Sequence, residues 1–478
     1  MTETMSFRAL ASLTAVTLVI GSGALAQGIS NNDAVAEQVG TDNEARIEQA
    51  GSFNSAGSDD DPLFQDGIFN DLDIFQLGNR NRVGLIGPGL SQTGRQNTET
   101  IFNQILIEQT SDDNTVGSVT QTSEGSIVNG ANTLTIRQGG AGTNEVEVVR
   151  QIQEDGQAAQ IVTVDQTGRF NRIALIDQRA NSNLEDLPNE ITVRMTGQSN
   201  GQTGLSGYAA RVVVTDSGIV QEGGNLDGRS NGNAVDLLIT GDMNRFGIRQ
   251  GGSRNDVGAL TINGDGNQIG LRQDGSDNDI TVTPIQGNDN NIGVDQLGTN
   301  IAQISLETIS SANVEPRSNS NRILVLQDGT NMFVLDLEGD DNDFTSNQDF
   351  DGALGGDNEA RVRIIGNNNV GRLTQLGDNV FDLDLEGDDN NANVFDASFD
   401  AAGQTAGTFD QEGSGNQSAI TVSGDANRFG FSQTGDANMM VATITGAGNQ
   451  MALAQVGSNN AAFLNQAGQD NRATVVQE

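Results

Sequence analysis

Glycine recurs at a fixed interval along much of this chain, and this spacing constrains the fold more than any other feature. Near the C-terminus the interval is eleven residues without exception, at Gly413, Gly424, Gly435, Gly446, Gly457 and Gly468, and asparagine follows each of them three residues later. In a second block the interval alternates between eleven and twelve, at Gly241, Gly252, Gly264, Gly275, Gly287 and Gly298. Self-similarity at a fixed period is typical of solenoids and other repeat arrays.

The residues between two glycines alternate with a period of two. Counted from Gly435, Phe431, Gln433, Asn438 and Met440 stand at positions −4, −2, +3 and +5, which share one parity and would face one side of a strand. The opposite parity holds mostly small or polar residues. This alternation predicts strands and excludes a helical period. Two strand-and-turn units then make a lap of about 22 residues, so we expect an all-β chain, a β-solenoid with irregular loops.

The Gly-x-x-Asn unit is a plausible tight turn, because glycine adopts positive φ and asparagine tolerates the left-handed conformation. The amides of the inward parity are expected to stack from lap to lap, each carboxamide donating to one neighbour and accepting from the other. Solvated surface amides are the alternative. The structural amide and turn residues predicted here are Gln250, Gly252, Asn255, Gln273, Gly275, Asn278, Gln411, Gly413, Asn416, Gln433, Gly435, Asn438, Gln455, Gly457, Asn460, Gln466, Gly468 and Asn471.

The repeat is uneven, and no linker defines a second domain. Residues 27–478 are therefore predicted to form a single elongated solenoid, most regular at 241–300 and 411–478. Regularity lapses at about 57–75, 110–160, 180–237, 301–335 and 391–410. These stretches are interpreted as loops between laps or as decayed laps.

The N-terminus has the pattern of a secretory signal peptide. One basic residue, Arg8, precedes an apolar run from about Ala9 to Ile20, and Ala24-Leu25-Ala26 supplies a cleavage site. The apolar run is too short for a transmembrane anchor. We expect residues 1–26 to be removed and the rest to be exported.

Composition excludes several functions. The chain has no His and no Cys, so most nucleophile–base pairs, thiol chemistry and typical zinc sites are missing. Its net charge of −40 argues against nucleic acid or an anionic membrane as a partner. Neither catalytic, cofactor-binding nor metal-binding residues are predicted, and we expect no enzyme, no cofactor and no membrane insertion.

The segments "FSQTGDANMM", "LAQVGSNNAA" and "IRQGGSRNDV" resemble the curlin repeat, Gln-x-Gly-x-x-Asn, of bacterial curli fibre subunits. Glutamines that match stand two residues before their glycine, at Gln38, Gln49, Gln76, Gln92, Gln166, Gln250, Gln273, Gln411, Gln433, Gln455 and Gln466. The resemblance implies secretion via the periplasm to the cell surface or extracellular matrix and assembly of the chain with itself into surface amyloid fibres. It also implies roles in adhesion and biofilm matrix, with a nucleator or secretion apparatus as partner. The chain departs from the family in its length, its acidity, and the apolar Ile262, Val422 and Ile444 at position −2.

Assembly is expected to occur by end-to-end stacking of copies. Val475 and Gln477 fall in the −4 and −2 columns of the last strand, so a further lap would fit on it. Stacked turn acids repel one another and should act as gatekeepers that delay assembly.

Three other functions are compatible with parts of the sequence. A non-polymerising calcium-binding β-roll adhesin is the main alternative, with isolated sites at Asp340/Asp341 or Asp388/Asp389, although the repeat lacks the nine-residue period of such proteins. A polysaccharide lyase on a β-helix would need clustered acids and aromatic platforms, and aromatic residues make up only 4% of the chain. An ice-binding solenoid would need flat Thr-x-Thr columns, and these are scattered.

Overall fold

The computed structural model describes residues 15–20, 31–85, 87–95, 97–123, 132–153, 159–180, 187–212, 217–222, 232–306, 318–349 and 358–478. They fall into two compact units. Unit 1 comprises Met1–Gly204 and Thr215–Asp256, and unit 2 comprises Leu205–Val214 and Val257–Glu478. Each unit is described by itself. In the described part of the chain, no helix is both long and apolar enough to cross a membrane.

Unit 1 is built from strands alone among its described residues. They are β1 (Ala15–Ile20), β2 (Asp33–Ala34), β3 (Ala36–Thr41), β4 (Glu44–Ala50), β5 (Ser55–Ala56), β6 (Leu63–Ile68), β7 (Asp71–Leu77), β8 (Arg82–Val83), β9 (Leu90–Gly94), β10 (Gln104–Gln109), β11 (Thr115–Ser123), β12 (Thr133–Gly142), β13 (Glu145–Gln153), β14 (Gln160–Arg169), β15 (Arg172–Ala180), β16 (Asn189–Gln198), β17 (Gly218–Glu222), β18 (Ala234–Thr240) and β19 (Arg245–Ser253).

Unit 2 contains one short helix, α1 (Gly207–Val212), and the remaining strands. These are β20 (Asp256–Asn263), which begins at the unit boundary, β21 (Gln268–Ser276), β22 (Asp279–Gln286), β23 (Asn291–Gly298), β24 (Ile301–Leu306), β25 (Arg322–Gly329), β26 (Met332–Glu338), β27 (Asp343–Gln348), β28 (Glu359–Arg361), β29 (Ile364–Ile365), β30 (Val370–Leu376), β31 (Asn379–Phe381), β32 (Thr408–Glu412), β33 (Asn416–Gln417), β34 (Ile420–Thr421), β35 (Arg428–Thr434), β36 (Met439–Thr445), β37 (Gln450–Val456), β38 (Ala461–Ala467) and β39 (Arg472–Gln477).

The strands of each unit stack into two parallel sheets, which we call wall A and wall B. In unit 1, wall A runs β1–β4–β7–β10–β12–β14–β16–β18. Wall B of that unit runs β3–β6–β9–β11–β13–β15–β17–β19. In unit 2, wall A includes β22, β24, β26, β31, β36 and β38. Wall B of that unit runs β21–β23–β25–β27–β30–β32–β35–β37–β39. The predicted fold class, an all-β solenoid, is confirmed.

Residues of the predicted inward parity form the core. In β35 and β37, Phe429 lies over Met451, Phe431 over Leu453 and Gln433 over Gln455, and all six side chains are buried. Aromatic rings stack in the same way, with the centroids of Phe409 and Phe431 5.6 Å apart. The register places equivalent residues above one another in successive laps, so one set of columns fills the interior.

Close contact between successive laps explains why glycine stands at most corners. Gly435 has a φ of +109°, and a Cβ on it would lie 2.1 Å from the carbonyl oxygen of Gly457 in the next lap. The second positive φ of the turn falls on the residue before asparagine, for example +55° at Ala437. Asparagine therefore does not supply the left-handed position that the sequence analysis gave it, and its side chain points inward instead.

The stretches interpreted as irregular differ from one another. Residues 110–160 contain β11, β12 and β13, and β11 pairs in register with β13. The segments 57–75 and 301–335 likewise hold strands of both walls. Many of the stretches without regularly spaced glycines thus form regular laps. The segment 391–407, by contrast, contains no strand.

The predicted signal peptide lies mostly outside the described residues. Within 1–26, only Ala15–Ile20 is described, as strand β1 paired with β4. Its cleavage, and the single solenoid expected over 27–478, remain predictions.

Substitution of a stacked turn glycine should destabilise unit 2. For Gly435→Ala we expect a loss of about 3 kcal/mol or more in the free energy of unfolding, because positive φ and the backbone clash add. Gly403→Ala is the matched control, since Gly403 has a φ of +80° and a methyl group added there would have no atom within 4 Å; it should cost about 1 kcal/mol. Urea unfolding measures both, and equal losses would contradict the stacking explanation.

Candidate functional site: stacked amide ladders

Glutamine side chains on wall B of unit 1 form one continuous column. Each Nε2 donates to the Oε1 of the glutamine in the following lap, at distances from 2.6 to 3.2 Å. The column consists of Gln38, Gln65, Gln92, Gln121, Gln151, Gln178, Gln221 and Gln250. A shorter column on wall A joins Gln49, Gln76, Gln109, Gln138 and Gln166.

Unit 2 has the same arrangement on its wall B. The column consists of Gln273, Gln296, Gln327, Gln348, Gln375, Gln411, Gln433, Gln455 and Gln477. The second proton of many of these amides bonds the backbone of the opposite wall, as Gln433 Nε2 does with Gln417 O at 3.1 Å. Each such glutamine therefore links two laps and also links the two walls.

Asparagine side chains form further columns at the corners, with the opposite direction. In unit 2 each Nδ2 donates to the Oδ1 of the asparagine in the preceding lap, at 2.9 to 3.1 Å. This column consists of Asn267, Asn290, Asn321, Asn342, Asn369, Asn390, Asn427, Asn449 and Asn471. The remaining Nδ2 proton often bonds the carbonyl of the turn glycine in the following lap, as in Asn427 to Gly446 O at 2.9 Å. Buried amides that would each cost about 1–3 kcal/mol if unpartnered are satisfied by the stack.

The turn acids also belong to a ladder. In the corner column of unit 2, each backbone N–H at the residue after the turn glycine donates to the side-chain oxygen of the equivalent residue in the next lap. The members are Asp265, Asn288, Asn319, Asp340, Asn367, Asp388 and Asp425, joined at 2.7 to 2.9 Å. An aspartate here is thus a hydrogen-bond acceptor for the stack as well as a surface charge.

Asp340 and Asp388, one residue of each candidate calcium pair, accept hydrogen bonds in this ladder. Asn319 Nδ2 donates to Asp340 Oδ1 at 2.9 Å, and Asn367 Nδ2 donates to Asp388 Oδ1 at 3.1 Å. Asn367 also lies one lap from each of these aspartates, so amides separate the two carboxylates. Among the described residues, no group of three or more acidic side chains is arranged to hold a metal ion.

The structure brings most of the predicted ladder residues together and separates one of them. Gln411, Gln433 and Gln455 are consecutive members of the wall B column. Gln466 lies on wall A, next to Ile444 in register, and its Oε1 is buried without a hydrogen-bond partner. Val422 and Ile444, the apolar residues that interrupt the repeat in the sequence, therefore belong to wall A. At these positions of unit 2 the inward side chains are aliphatic instead of amides.

Sequence reasoning missed several ladder members because it searched for glycine. Gln121, Gln151 and Gln178 belong to the wall B column of unit 1, yet none has glycine two residues later. The usable signal was an inward Gln seven residues after an inward Asn, as in Asn114 with Gln121 and Asn144 with Gln151. The regular laps have a spacing of six, as from Asn427 to Gln433. In β11 one extra residue, within the unbroken buried run Val116–Val119, returns Gln121 to the inward face.

The outer face of wall B in unit 2 is covered by two insertions. Helix α1 packs on β21 and β23, where Gly270 and Gly293 leave room for the backbone carbonyls of Ala209 and Tyr208. The other insertion is the segment 391–407, which we call the strap. It lies on β35, β37 and β39.

Ionic hydrogen bonds hold the strap on wall B, and a glycine beneath it lets its backbone approach closely. Asp396 accepts hydrogen bonds from Arg428, Gln450 and Arg472, and a Cβ on Gly430 would lie 2.1 Å from Thr405 O. Gln450 has the parity of a solvent-facing residue, but it is buried beneath the strap.

Comparison of the chain with protein-family models gives no match, and comparison with curated proteins gives none either.

Removing one donor from the glutamine column should destabilise unit 2. In Gln433→Glu the carboxylate keeps an acceptor for Gln411 but no longer donates to Gln455 or to Gln417 O. We expect a loss of about 2–4 kcal/mol in the free energy of unfolding at pH 7. Burial raises the pKa of such a carboxyl in the folded state, so the loss should shrink as the pH falls towards 4, where the protonated group donates again.

Gln417→Glu is the control for this prediction. The Gln417 side chain is exposed on the outer face of wall A, so the same substitution should change stability by less than about 0.5 kcal/mol. Urea unfolding at pH 7 and pH 4 measures both variants. A Gln433→Glu protein as stable as the control at pH 7 would rule out an energetic role for the column.

One carboxylate on wall A of unit 1 has a strongly displaced pKa. Burial, with Asp73 and Glu44 nearby, raises the pKa of Asp71 from 3.8 to about 6. A raised carboxyl pKa favours folding below the unfolded value, and that contribution is lost as the pH rises through about 6. Ionised Asp71 therefore destabilises unit 1 at neutral pH.

We expect Asp71→Asn to stabilise unit 1 at pH 7 by about 1–2 kcal/mol, allowing for partial exposure to solvent, and to have little effect at pH 4. Thermal unfolding at the two pH values measures this. Asp60→Asn makes the same change of charge at an exposed bend, and an equal gain there would mean that lower net charge alone is responsible.

Proposed function

We propose that this chain is a structural, non-enzymatic extracellular protein, a curli-like fibre subunit for cell-surface adhesion and biofilm matrix. Copies assemble by stacking solenoid laps end to end, so that the fibre continues the order within each copy. The partner is the chain itself, with a nucleator or secretion apparatus to start assembly.

The observation that carries this proposal is the self-templating amide column. Gln477 of β39 accepts from Gln455 at 2.7 Å and donates one proton to Ala461 O at 2.9 Å. Earlier glutamines of the column use their other N–H to donate to the glutamine of the following lap, as Gln411 and Gln433 do. A lap of a second copy that carries glutamine at the same position supplies the acceptor.

The backbone of the edge lap favours the same contact. Among the described residues β39 pairs with β37 alone and β38 with β36 alone, so each has one edge of N–H and C=O groups without a strand partner. Val475 lies below Leu453 in the core column and is only partly buried. Both the hydrogen bonds and the apolar column gain from one more lap.

Charge opposes assembly and sets its conditions. Each copy carries a net charge of −40, and turn acids in adjacent laps, such as Asp388 and Asp425, repel each other. Two unit charges about 5 Å apart in water repel by roughly 0.8 kcal/mol, and salt screens this repulsion. Assembly is therefore favoured by salt and by mild acid.

The proposal predicts fibres with cross-β order. The chain from Gln27 onward, released from denaturant at about 20 μM, should form thioflavin-positive fibres, and aligned fibres should diffract near 4.7 Å along the axis and about 10 Å across it. The lag phase should shorten with added sodium chloride and at pH 5. Thioflavin kinetics and fibre diffraction measure this.

Two results would contradict the proposal. One is a folded chain that stays monomeric under all these conditions. The other is growth that is indifferent to salt and pH, which would remove the gatekeeper role of the turn acids. Calcium serves as a separate arm: stabilisation and heat release on calcium addition to a persistently monomeric chain would favour the calcium-binding adhesin.

A further inference from the structure

The two walls of the final laps of unit 2 differ in what covers them. Wall B lies beneath the strap, whereas the described residues leave wall A bare, with Phe463 of β38 73% exposed and Met439 of β36 39% exposed. The outward residues of wall A in three laps are every second residue of 417–421, 439–445 and 461–467. We call this surface the neutral face.

The neutral face carries no charge at any of its eleven positions, which hold Gln, Ala, Thr, Met, Val, Phe and Asn. The laps before it on the same wall are charged, with Asp382, Asp384 and Glu386 in one and Glu359 and Arg361 in the other. Charge thus stops abruptly at a defined lap. In a chain of net charge −40, a surface without any charged residue is unusual.

The centre of the neutral face is apolar. Val441 and Phe463 lie side by side in register, next to the pair Met439 and Ala461. Val441 is 36% exposed. A flat sheet face with apolar residues at its centre and small or amide residues around them is suited to packing against another sheet, about 10 Å away.

We propose that the neutral face is the lateral contact between fibres, packing against the same face of a second copy. Charge favours this occupant, because two strongly acidic copies repel each other least where both facing surfaces are neutral. A self-complementary face also suits a two-fold contact. This inference rests on the proposed function, because it concerns fibres of stacked copies.

The small area of the neutral face explains why we expect the contact between fibres and not between free monomers. Three strands about 4.8 Å apart and seven residues long cover roughly 330 Å², less than half of the roughly 800 Å² per partner in a stable complex. One neutral face is therefore too small to hold two free monomers together. Along two fibres the contact recurs once per copy, and the repeated contacts act together.

The test compares two double variants of the full chain from Gln27 onward. Val441→Asp with Phe463→Asp places two charges on the neutral face. Val456→Asp with Val476→Asp places the same charges on wall B of the same laps, at valines that are 49% and 54% exposed. All four side chains point outward, and circular dichroism and urea unfolding verify that both variants fold.

Electron microscopy of negatively stained fibres gives the result. We expect wild-type fibres and the wall B variant to be paired or bundled at high salt, and the neutral-face variant to form single filaments with its yield of thioflavin-positive material unchanged. Bundles in the neutral-face variant, or single filaments in all three proteins, would overturn the inference while leaving the proposed function intact. Loss of bundling in both variants would do the same, since charge alone would then be responsible. Absence of fibres from the wild type would contradict the proposed function itself, and this inference with it.

Discussion

The hydrogen bond between equivalent amides in successive laps is the interaction on which the rest of the structure depends. An inward glutamine is fully paired only where the lap before and the lap after present the same group at the same height; Gln466, which lies next to Ile444, keeps an unpartnered oxygen. Along the amide columns this condition fixes the register of the strands, because a slip of one residue would turn the amide outwards. Glycine stands at most corners because the backbone of the next lap lies so close, although Ser318 takes its place in one lap.

Much of the fold could be predicted because the repeat carries its own register. Strand parity at Phe431, Gln433 and Asn438 identified the inward face, and the spacing of the glycines identified the turns. The left-handed residue was misplaced because a turn motif does not show which position has positive φ. Gln121 and Gln151 were missed because no glycine stands two residues after them, although the inward amide remains.

The covering of the walls could not be read from the repeat, because it depends on contacts between residues far apart in the chain. Gln450 has the parity of a solvent-facing residue, yet it is buried by Asp396, 54 positions away. The repeat does not explain the glycines at three strand positions, Gly270, Gly293 and Gly430. In the structure a backbone carbonyl of an insertion lies against each of them, where a Cβ would clash. Sequence periodicity describes the laps, whereas the insertions follow no period.

The opposed directions of the glutamine and asparagine columns have a consequence for length. Carboxamides aligned along a stack add their dipoles, as peptide groups do in a helix. In unit 2 the glutamine column donates towards later laps, and the asparagine column through Asn290 and Asn321 donates towards earlier ones. The two sets offset each other, and the peptide dipoles of the strands alternate. Extending such a stack therefore builds up little electrical polarity from its amides, so a late lap is as easily added as an early one.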